Sequence, residues 1–337
     1  MSLKDNIIYD RLDYIYVTYY DSYAKCLKYA AFRSGTTVDA SNKISVVPQN
    51  DPNSQWGGGA TSDYSLVAEV RSANGNMTNG ATVVAGHDWN KKDAPTNFTE
   101  KAGEWSDIVL EVDETNNYPI PVIVYYNETK RCLEVARGKT DATNRFPKSS
   151  NYGKAKEEVT SLTGEDAWTK TQITPDSSSD FGRYVSACID GEGNIHVAAQ
   201  DATNAKLYYL YLTKNGETYE LKNSVVVDSS SGAGRWTDIE LTNPNGTTVE
   251  ECKPVISYIN TSYLGTTKGA KVAYFDNVDA EGNLSFEAMT SPAVWQVSDQ
   301  RTSVLPDVKE IKNSTEKAKV AIGFNSDMLA LDFLRDE

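Results

Sequence analysis

Residues 182–212 read GRYVSACIDGEGNIHVAAQDATNAKLYYLYL, and this stretch decides the fold. It begins with a glycine followed closely by an aromatic residue, and the polar segments DGEGN at 190–194 and DATNA at 201–205 divide it into three alternating runs. Alternation with a period of two is typical of β-strands, and short segments rich in glycine, aspartate and asparagine are typical of turns. The stretch therefore predicts three antiparallel strands joined by two tight turns.

The same order of features recurs along the chain. GEWSDIVLEVDETNNYPIPVIVYYNETKRCLEVA at 103–136 and the segment 234–275 repeat it closely, and weaker copies lie at 6–30, 63–89 and 305–334. With the first stretch they make six copies, spaced about 60 residues apart. A spacing of that size leaves room for four strands with long loops in each copy.

A fourth strand is predicted after the third strand in three copies, at 166–176, 223–232 and 292–300. Four antiparallel strands repeated radially form the blades of a β-propeller. We therefore predict an all-β chain that folds as a single domain over residues 1–337, a β-propeller of six four-stranded blades, some incomplete. The approximate blade bounds are 4–56, 57–102, 103–180, 181–232, 233–299 and 300–337. Two stacked β-sandwiches are the alternative that alternation leaves open.

Composition limits the classes of partner. The chain has 337 residues, with 33 Lys and Arg against 47 Asp and Glu, which gives a net charge of −14. An acidic chain is unsuited to the phosphate backbone of nucleic acid or to an anionic membrane surface. No apolar run approaches the roughly 18 residues of a membrane span. We therefore predict no nucleic-acid partner and no membrane insertion.

The four cysteines, Cys26, Cys132, Cys188 and Cys252, have neither C-x-x-C nor metal-ligand spacing. Cys26 and Cys132 occupy the same position of two repeat copies and should lie in different blades. We predict four free, mostly buried thiols. The chain begins Met-Ser-Leu without the basic and apolar segments of a secretory signal, so we expect that a native leader has been removed.

The stretch GRYVSACIDGEGNIHVAAQDATNAKLYY resembles a bacterial propeller repeat of the form G-x-Y-[ST]-S-I-A-x-D-x-x-G-x-x-H-I-x-Y-x-D-x-x-x-x-x-L-K-Y-A, found in secreted and surface proteins. The likeness is close over 182–212, partial over 6–30, 103–136 and 234–275, and loose elsewhere. It implies a propeller scaffold in an extracytoplasmic, secreted or cell-surface setting. The family has no shared catalytic residues to carry over. His196 falls where that repeat also has histidine, so we expect it to be packed or hydrogen-bonded.

Strand direction predicts a ligand-binding face. In antiparallel sheets the start of the first strand of each copy lies beside the turn from its second strand to its third. Aromatic rings stack on the apolar faces of sugars, and guanidinium and carboxylate groups bind their hydroxyls. The alternative is that the aromatic residues pack between blades and the arginines only cap strand ends. The candidate ligand-binding residues are Trp56, His87, Glu104, Trp105, Arg183, Tyr184, Arg235, Trp236 and Arg301.

Asp107, Asp238 and Asp307 recur two residues inside the first strand of three copies, and Ser186 and Asn6 occupy the matching positions of two others. Carboxylates that converge on a central channel could bind Ca²⁺, which prefers oxygen ligands. The alternative is that each aspartate accepts hydrogen bonds from the backbone of the neighbouring blade. Calcium is thus the one cofactor that the pattern suggests.

These observations favour a non-catalytic binding module that recognises a glycan or a surface protein at one face of the ring. The chain lacks the S-x-D-x-G-x-x-W boxes of sialidases, and it lacks G-x-S-x-G, H-E-x-x-H and phosphate-loop motifs. A glycoside hydrolase or polysaccharide lyase with a pair of carboxylates in the central pocket is the alternative, because such pairs have no linear signature.

Overall fold

The fold was taken from a computed structural model of the chain. The residues it describes are 2–3, 7–9, 14–21, 25–33, 81–85, 100–113, 118–139, 168–175, 177–261, 269–288, 302–306, 320–324 and 330–334. Within these ranges the prediction of an all-β chain is confirmed. The one helix among the described residues is a single turn, α1 (Val249–Cys252).

The strands form antiparallel sheets in which neighbours in sequence are neighbours in space. The first sheet contains β1 (Ser2–Leu3), β2 (Ile7–Tyr9), β3 (Tyr14–Asp21), β4 (Cys26–Arg33) and β5 (Ala81–Ala85). The second contains β6 (Ala102–Asp113), β7 (Tyr118–Asn127), β8 (Cys132–Gly138) and β9 (Trp168–Ile173). The third contains β10 (Phe181–Ile189), β11 (Ile195–Asp201), β12 (Lys206–Asn215) and β13 (Thr218–Asp228). The fourth contains β14 (Arg235–Leu241), β15 (Pro254–Asn260), β16 (Gly269–Val278) and β17 (Leu284–Ala288). The fifth contains β18 (Thr302–Pro306), β19 (Val320–Phe324) and β20 (Ala330–Leu334).

The segment expected to form a second blade, 57–102, differs from the sequence prediction where the structure describes it. Strand β5 lies inside this range and pairs with β4, with Val83 opposite Lys28. It is therefore the edge strand of the first sheet, where its backbone groups find partners on β4. The described residues contain five sheets, and because residues 57–80 and 86–99 lie outside them, the six blades stay a prediction.

Burial increases toward the middle strands. Every residue of β8, β11 and β15 is buried, whereas β13 and β17 alternate between more and less exposed positions. A strand buried along its whole length is covered on both faces of its sheet. An alternating strand has one face toward solvent, so β13 and β17 lie at the outside of their sheets.

The recurring glycine of the repeat is explained by a close contact. Three of these glycines have φ between +87° and +115°. Each lies against a leucine, the second residue of β4, β8 or β12. A Cβ atom there would come within 3.1 Å or less of that leucine. The pairs are Gly103 with Leu27, Gly182 with Leu133 and Gly234 with Leu207. Glycine is required here both by the backbone conformation and by the space.

A backbone hydrogen bond accompanies each contact. The residue before each glycine donates its N–H to the carbonyl of a residue with positive φ in the preceding second-to-third-strand turn. The bonds are Ala102 N to Lys25 O (3.2 Å), Phe181 N to Arg131 O (3.1 Å) and Ala233 N to Ala205 O (3.0 Å). The repeat in sequence is thus a repeat of one packing contact and one hydrogen bond.

The chain divides into two compact units. The first comprises Met1–Lys130 and Glu134–Thr171, and the second comprises Arg131–Leu133 and Gln172–Glu337. The core of the first unit is built around the buried rings of Tyr29 and Trp168, which meet edge to face at 5.1 Å. Tyr209 and Tyr258 are fully buried members of the core of the second unit. In the described part of the chain, no helix has the length and apolar character needed to cross a membrane.

The prediction of free thiols is confirmed, since Cys26, Cys132, Cys188 and Cys252 form no disulfide and all but Cys188 are buried. Titration of the unreduced protein, denatured in the presence of EDTA, should therefore find four reactive thiols per chain. A count of two or none would show that disulfides form in solution.

Candidate functional site

Tyr184, Arg235 and Trp236 form a partly exposed group in the second unit, which we call the aromatic cluster. The rings of Tyr184 and Trp236 meet edge to face with their centroids 5.0 Å apart. The guanidinium carbon of Arg235 lies 5.8 Å from the centroid of the Tyr184 ring, within cation–π distance. All three residues are half-buried, so each leaves part of its side chain open to solvent.

Irregular backbone at the start of β10 and β14 orients the aromatic cluster. The pairing of β10 with β11 changes register on both sides of Arg183, and that of β14 with β15 changes between Arg235 and Asp238. Tyr184 and Trp236 have φ of +54° and +50°, a conformation that costs an ordinary residue about 1–2 kcal/mol. The surrounding sheets hold the backbone of both residues in a strained conformation next to the register changes.

Thr237 links the two strands that carry the aromatic cluster. Its hydroxyl group donates to the carbonyl oxygen of Tyr184, and it lies 3.2 Å from the carbonyl oxygen of Ala198. The Gln200 amide donates to the carbonyl oxygen of Ala233 at 2.7 Å, close to the same strand start. These contacts keep the aromatic cluster fixed relative to β11.

Arg183 has a different partner from Arg235. Its Nη2 donates to Oδ2 of the buried Asp180 at 2.8 Å. Nε of Arg131 lies 3.7 Å from the same oxygen. The guanidinium of Arg183 therefore compensates a buried carboxylate at the strand end.

The corresponding residues of the first unit are arranged more loosely. Glu104 is exposed at the start of β6, and the half-buried Trp105 contacts the ring of Tyr126 with centroids 5.5 Å apart. The tilt between these rings is 54°. Glu104 and Trp105 thus place a carboxylate and an indole at adjacent positions of β6.

The remaining predicted site residues are divided between described and undescribed parts of the chain. Trp56, His87, Arg301 and Asp307 lie outside the described residues. Asp107 is half-buried, and its Oδ1 accepts from the N–H of Ile108 at 2.8 Å. Asp238 is buried in β14. The calcium site expected from these aspartates stays a prediction.

Sequence reasoning missed a second group, which we call the histidine cluster: Asp190, His196 and Cys252. One ligand atom from each residue lies within 4.8 Å of the other two, and all three residues are buried. His196 is completely buried, in keeping with its expected packed role, and its Nδ1 lies 2.7 Å from the hydroxyl oxygen of Tyr209. Its Nε2 makes no hydrogen bond and lies 3.5 Å from Oδ2 of Asp190.

Local structure explains how each member of the histidine cluster is positioned. Oδ1 of Asp190 accepts from the N–H groups of Glu192 and Asn194 and so closes the DGEGN turn. Cys252 is the last residue of α1, a helical turn that begins at the N-cap Thr248 and ends at a left-handed residue, Lys253. No linear motif joins the three residues, because Cys252 belongs to the following repeat copy.

Burial sets the protonation of the histidine cluster. It lowers the pKa of His196 below its ordinary value, against the opposing charge of Asp190, so the imidazole is neutral at pH 7. Burial, with the nearby charges of Asp190 and Glu251, raises the pKa of the Cys252 thiol to about 12. Burial alone would raise the pKa of Asp190, but the His196 imidazole and hydrogen bonds from Asn194 lower it.

A third polar group lies around Asp228 at the end of β13. Its carboxylate accepts from the Tyr258 hydroxyl at 2.6 Å, from Ser230 and from the Lys271 ammonium. These bonds outweigh burial and lower the pKa of Asp228. Through Tyr258 of β15 and Lys271 of β16, the Asp228 carboxylate links β13 to the fourth sheet.

The comparisons with known proteins add no family to this description. The sequence matches no protein-family model and no curated protein. The likeness to the bacterial propeller repeat therefore stays a prediction from the residues that carry it.

Proposed function

We propose that the chain is an extracytoplasmic β-propeller that binds a glycan at the aromatic cluster without catalysing a reaction. The observation that carries this function is the position of two aromatic rings and a guanidinium group in one partly exposed place. Rings stack on the apolar faces of sugars, and a guanidinium group donates to hydroxyl or carboxylate oxygens. The aromatic cluster thus has both kinds of group that a neutral or acidic sugar needs.

Backbone strain adds to the case. Tyr184 and Trp236 occupy left-handed conformations that most side chains avoid. Strained residues concentrate at binding sites, where rigid presentation of a side chain lowers the entropy lost on binding. A rigid pair of rings is the arrangement expected of a surface selected for stacking.

The propeller architecture is supported by burial and by the repeated contacts. Middle strands such as β11 and β15 are buried on both faces, whereas a sandwich sheet has one solvated face. The glycine contact and its hydrogen bond recur in three places, each time between equivalent strands of successive repeat copies. A unit that meets its neighbour in one fixed way is what radial repetition requires.

Five described carboxyl groups have a lowered pKa, which does not suit the general acid of a glycosidase. In Glu100, Asp190, Asp228, Glu251 and Asp279 the pKa is lowered by hydrogen bonds or neighbouring cations. A glycosidase acid needs the opposite, a carboxyl group whose pKa is raised so that it holds a proton near neutrality. These five carboxylates serve as acceptors.

Substitution of the aromatic cluster should weaken glycan binding. Trp236→Ala removes a stacking surface and Arg235→Ala removes a hydrogen-bond donor. Each should weaken the binding free energy by about 1–3 kcal/mol, which raises the dissociation constant roughly 5- to 150-fold. The measurement is an array of neutral and acidic glycans, followed by calorimetric titration of the best binder with the wild-type protein and both variants.

Lys222→Ala is the matched control, because it removes an exposed positive charge from the outer strand β13. It should leave affinity within about twofold of wild type. An array without a bound glycan, or a glycan whose affinity is the same in all variants, would refute the site. Release of new reducing ends from a bound glycan would favour the hydrolase alternative.

A further inference from the structure

We propose that Asp190, His196 and Cys252 bind a zinc ion that is structural and joins two consecutive sheets of the second unit. The site is separate from the aromatic cluster and does not depend on the glycan proposal. Its residues come from the turn between β10 and β11, from β11 itself and from α1, which precedes β15. A metal bound to all three would connect the third sheet to the fourth.

The donor set suits zinc. Imidazole nitrogen, thiolate sulfur and carboxylate oxygen are the three protein ligands that zinc accepts, and calcium or magnesium would need oxygen atoms alone. A tetrahedral zinc ion places its ligand atoms about 3.3–3.8 Å apart. His196 Nε2 and Asp190 Oδ2 are already 3.5 Å apart. The three atoms lie within 4.8 Å of one another, so a small movement of the Cys252 side chain completes the triangle.

The position of the Nε2 nitrogen is the second observation. His196 is 0% exposed, and its Nε2 faces Oδ2 of Asp190 at 3.5 Å without the geometry of a good hydrogen bond. Buried polar atoms almost always have a partner, because an unsatisfied one costs about 1–3 kcal/mol. When Nδ1 donates to the Tyr209 hydroxyl oxygen, Nε2 carries the lone pair and faces the other two ligands. A hydrogen bond from the far ring nitrogen is also how metal-bound histidines are usually oriented.

The neighbouring turn shows that histidine is not needed to form this loop. Asp279 closes an equivalent turn, with its Oδ1 accepting from the N–H groups of Glu281 and Asn283. The Asn283 amide donates to Oδ2 at 2.8 Å, as the Asn194 amide does to Asp190 at 3.1 Å. The DGEGN turn can therefore close on the same hydrogen bonds, and the imidazole and thiol are additional to it.

Zinc binding requires the thiol of Cys252 to be ionised. The thiol must release its proton to solvent as the sulfur–zinc bond forms, and the charge of the ion offsets the burial that keeps the thiol protonated. All three residues are buried, which fits an ion that holds the fold together, and they supply three of the four ligands of a tetrahedral zinc ion.

The test uses the full chain freed of metal with a chelator and then titrated with Zn²⁺ or Co²⁺. Wild type should bind one zinc ion per chain, and Cys252→Ala should bind at least 100-fold more weakly. Cys132→Ala, which removes another buried cysteine, should bind like wild type. With Co²⁺, wild type and Cys132→Ala should show a thiolate-to-cobalt charge-transfer band that Cys252→Ala lacks.

The cobalt spectrum of wild type keeps the proposal falsifiable if Cys252→Ala does not fold. Absence of that band in folded wild type would overturn the proposal. Equal zinc affinity in wild type and Cys252→Ala would overturn it as well. Zinc bound to this site should also raise the thermal midpoint of wild type and of Cys132→Ala, and leave that of Cys252→Ala unchanged.

Discussion

Replacing Gly103 by alanine should lower the free energy of unfolding of the first unit by about 2–5 kcal/mol. The added Cβ would lie 2.5 Å from Cβ of Leu27 and 2.9 Å from its Cα, so backbone and side chain would both have to move. Gly103 also has φ of +96°, which alanine rarely adopts. Strain and overlap therefore add, and urea denaturation followed by circular dichroism measures the loss.

Gly216→Ala is the control that separates the two causes. Gly216 has φ of +61°, but a Cβ there would have nothing within 4 Å. The loss should be about 1–2 kcal/mol, the cost of the left-handed conformation by itself. Equal losses in the two variants would mean that the contact with Leu27 contributes nothing, and the account of the repeated glycine would be wrong.

The fold could be predicted largely because turns and alternation are local. The segments DGEGN and DATNA do end strands, since the side chains of Asp190 and Asp201 accept hydrogen bonds from the backbone of their own turns. The recurrence of the glycine was visible as well. Its cause was not, because the close approach of Gly103 to Leu27 joins residues far apart in sequence and depends on the packing of one sheet on another.

The candidate site, too, could be predicted only in part. Tyr184 and Trp236 occupy equivalent positions of adjacent repeat copies, so strand direction was enough to place them on one face, and their rings do meet. Arg183 binds Asp180, whereas Arg235 lies over the Tyr184 ring. This difference could not be predicted, because it depends on where Asp180 lies. The histidine cluster was invisible because Cys252 approaches His196 only when two repeats pack together.

Polar residues that alternation assigns to solvent are a further limit of sequence reasoning. Glu111 in β6 and Arg137 in β8 follow apolar neighbours as surface residues of a strand often do, yet both are buried. Nε of Arg137 donates to Oε2 of Glu111 at 2.7 Å and Nη2 donates to Oε1 at 2.9 Å. Two parallel bonds to one carboxylate give this pair a fixed geometry that a buried charge requires.

Breaking this pair from one side should be costly. Arg137→Met keeps a long apolar side chain but leaves the Glu111 carboxylate buried without the guanidinium, which should lower the free energy of unfolding by about 3–5 kcal/mol. Arg131→Met is the matched control, because Arg131 is exposed and lies 3.7 Å from its partner Asp180. The control should lose less than about 1 kcal/mol, as is usual for exposed ion pairs.

The double variant Glu111→Leu with Arg137→Met decides what the pair contributes. Removing both charges removes the cost of burying them, and apolar side chains of similar volume can pack in their place. The double variant should therefore regain most of the stability lost by Arg137→Met and lie within about 1–2 kcal/mol of wild type. If its loss equals or exceeds that of the single variant, the stabilisation comes from the ion pair itself. That result would contradict the view that the large effect of Arg137→Met arises from an uncompensated buried carboxylate.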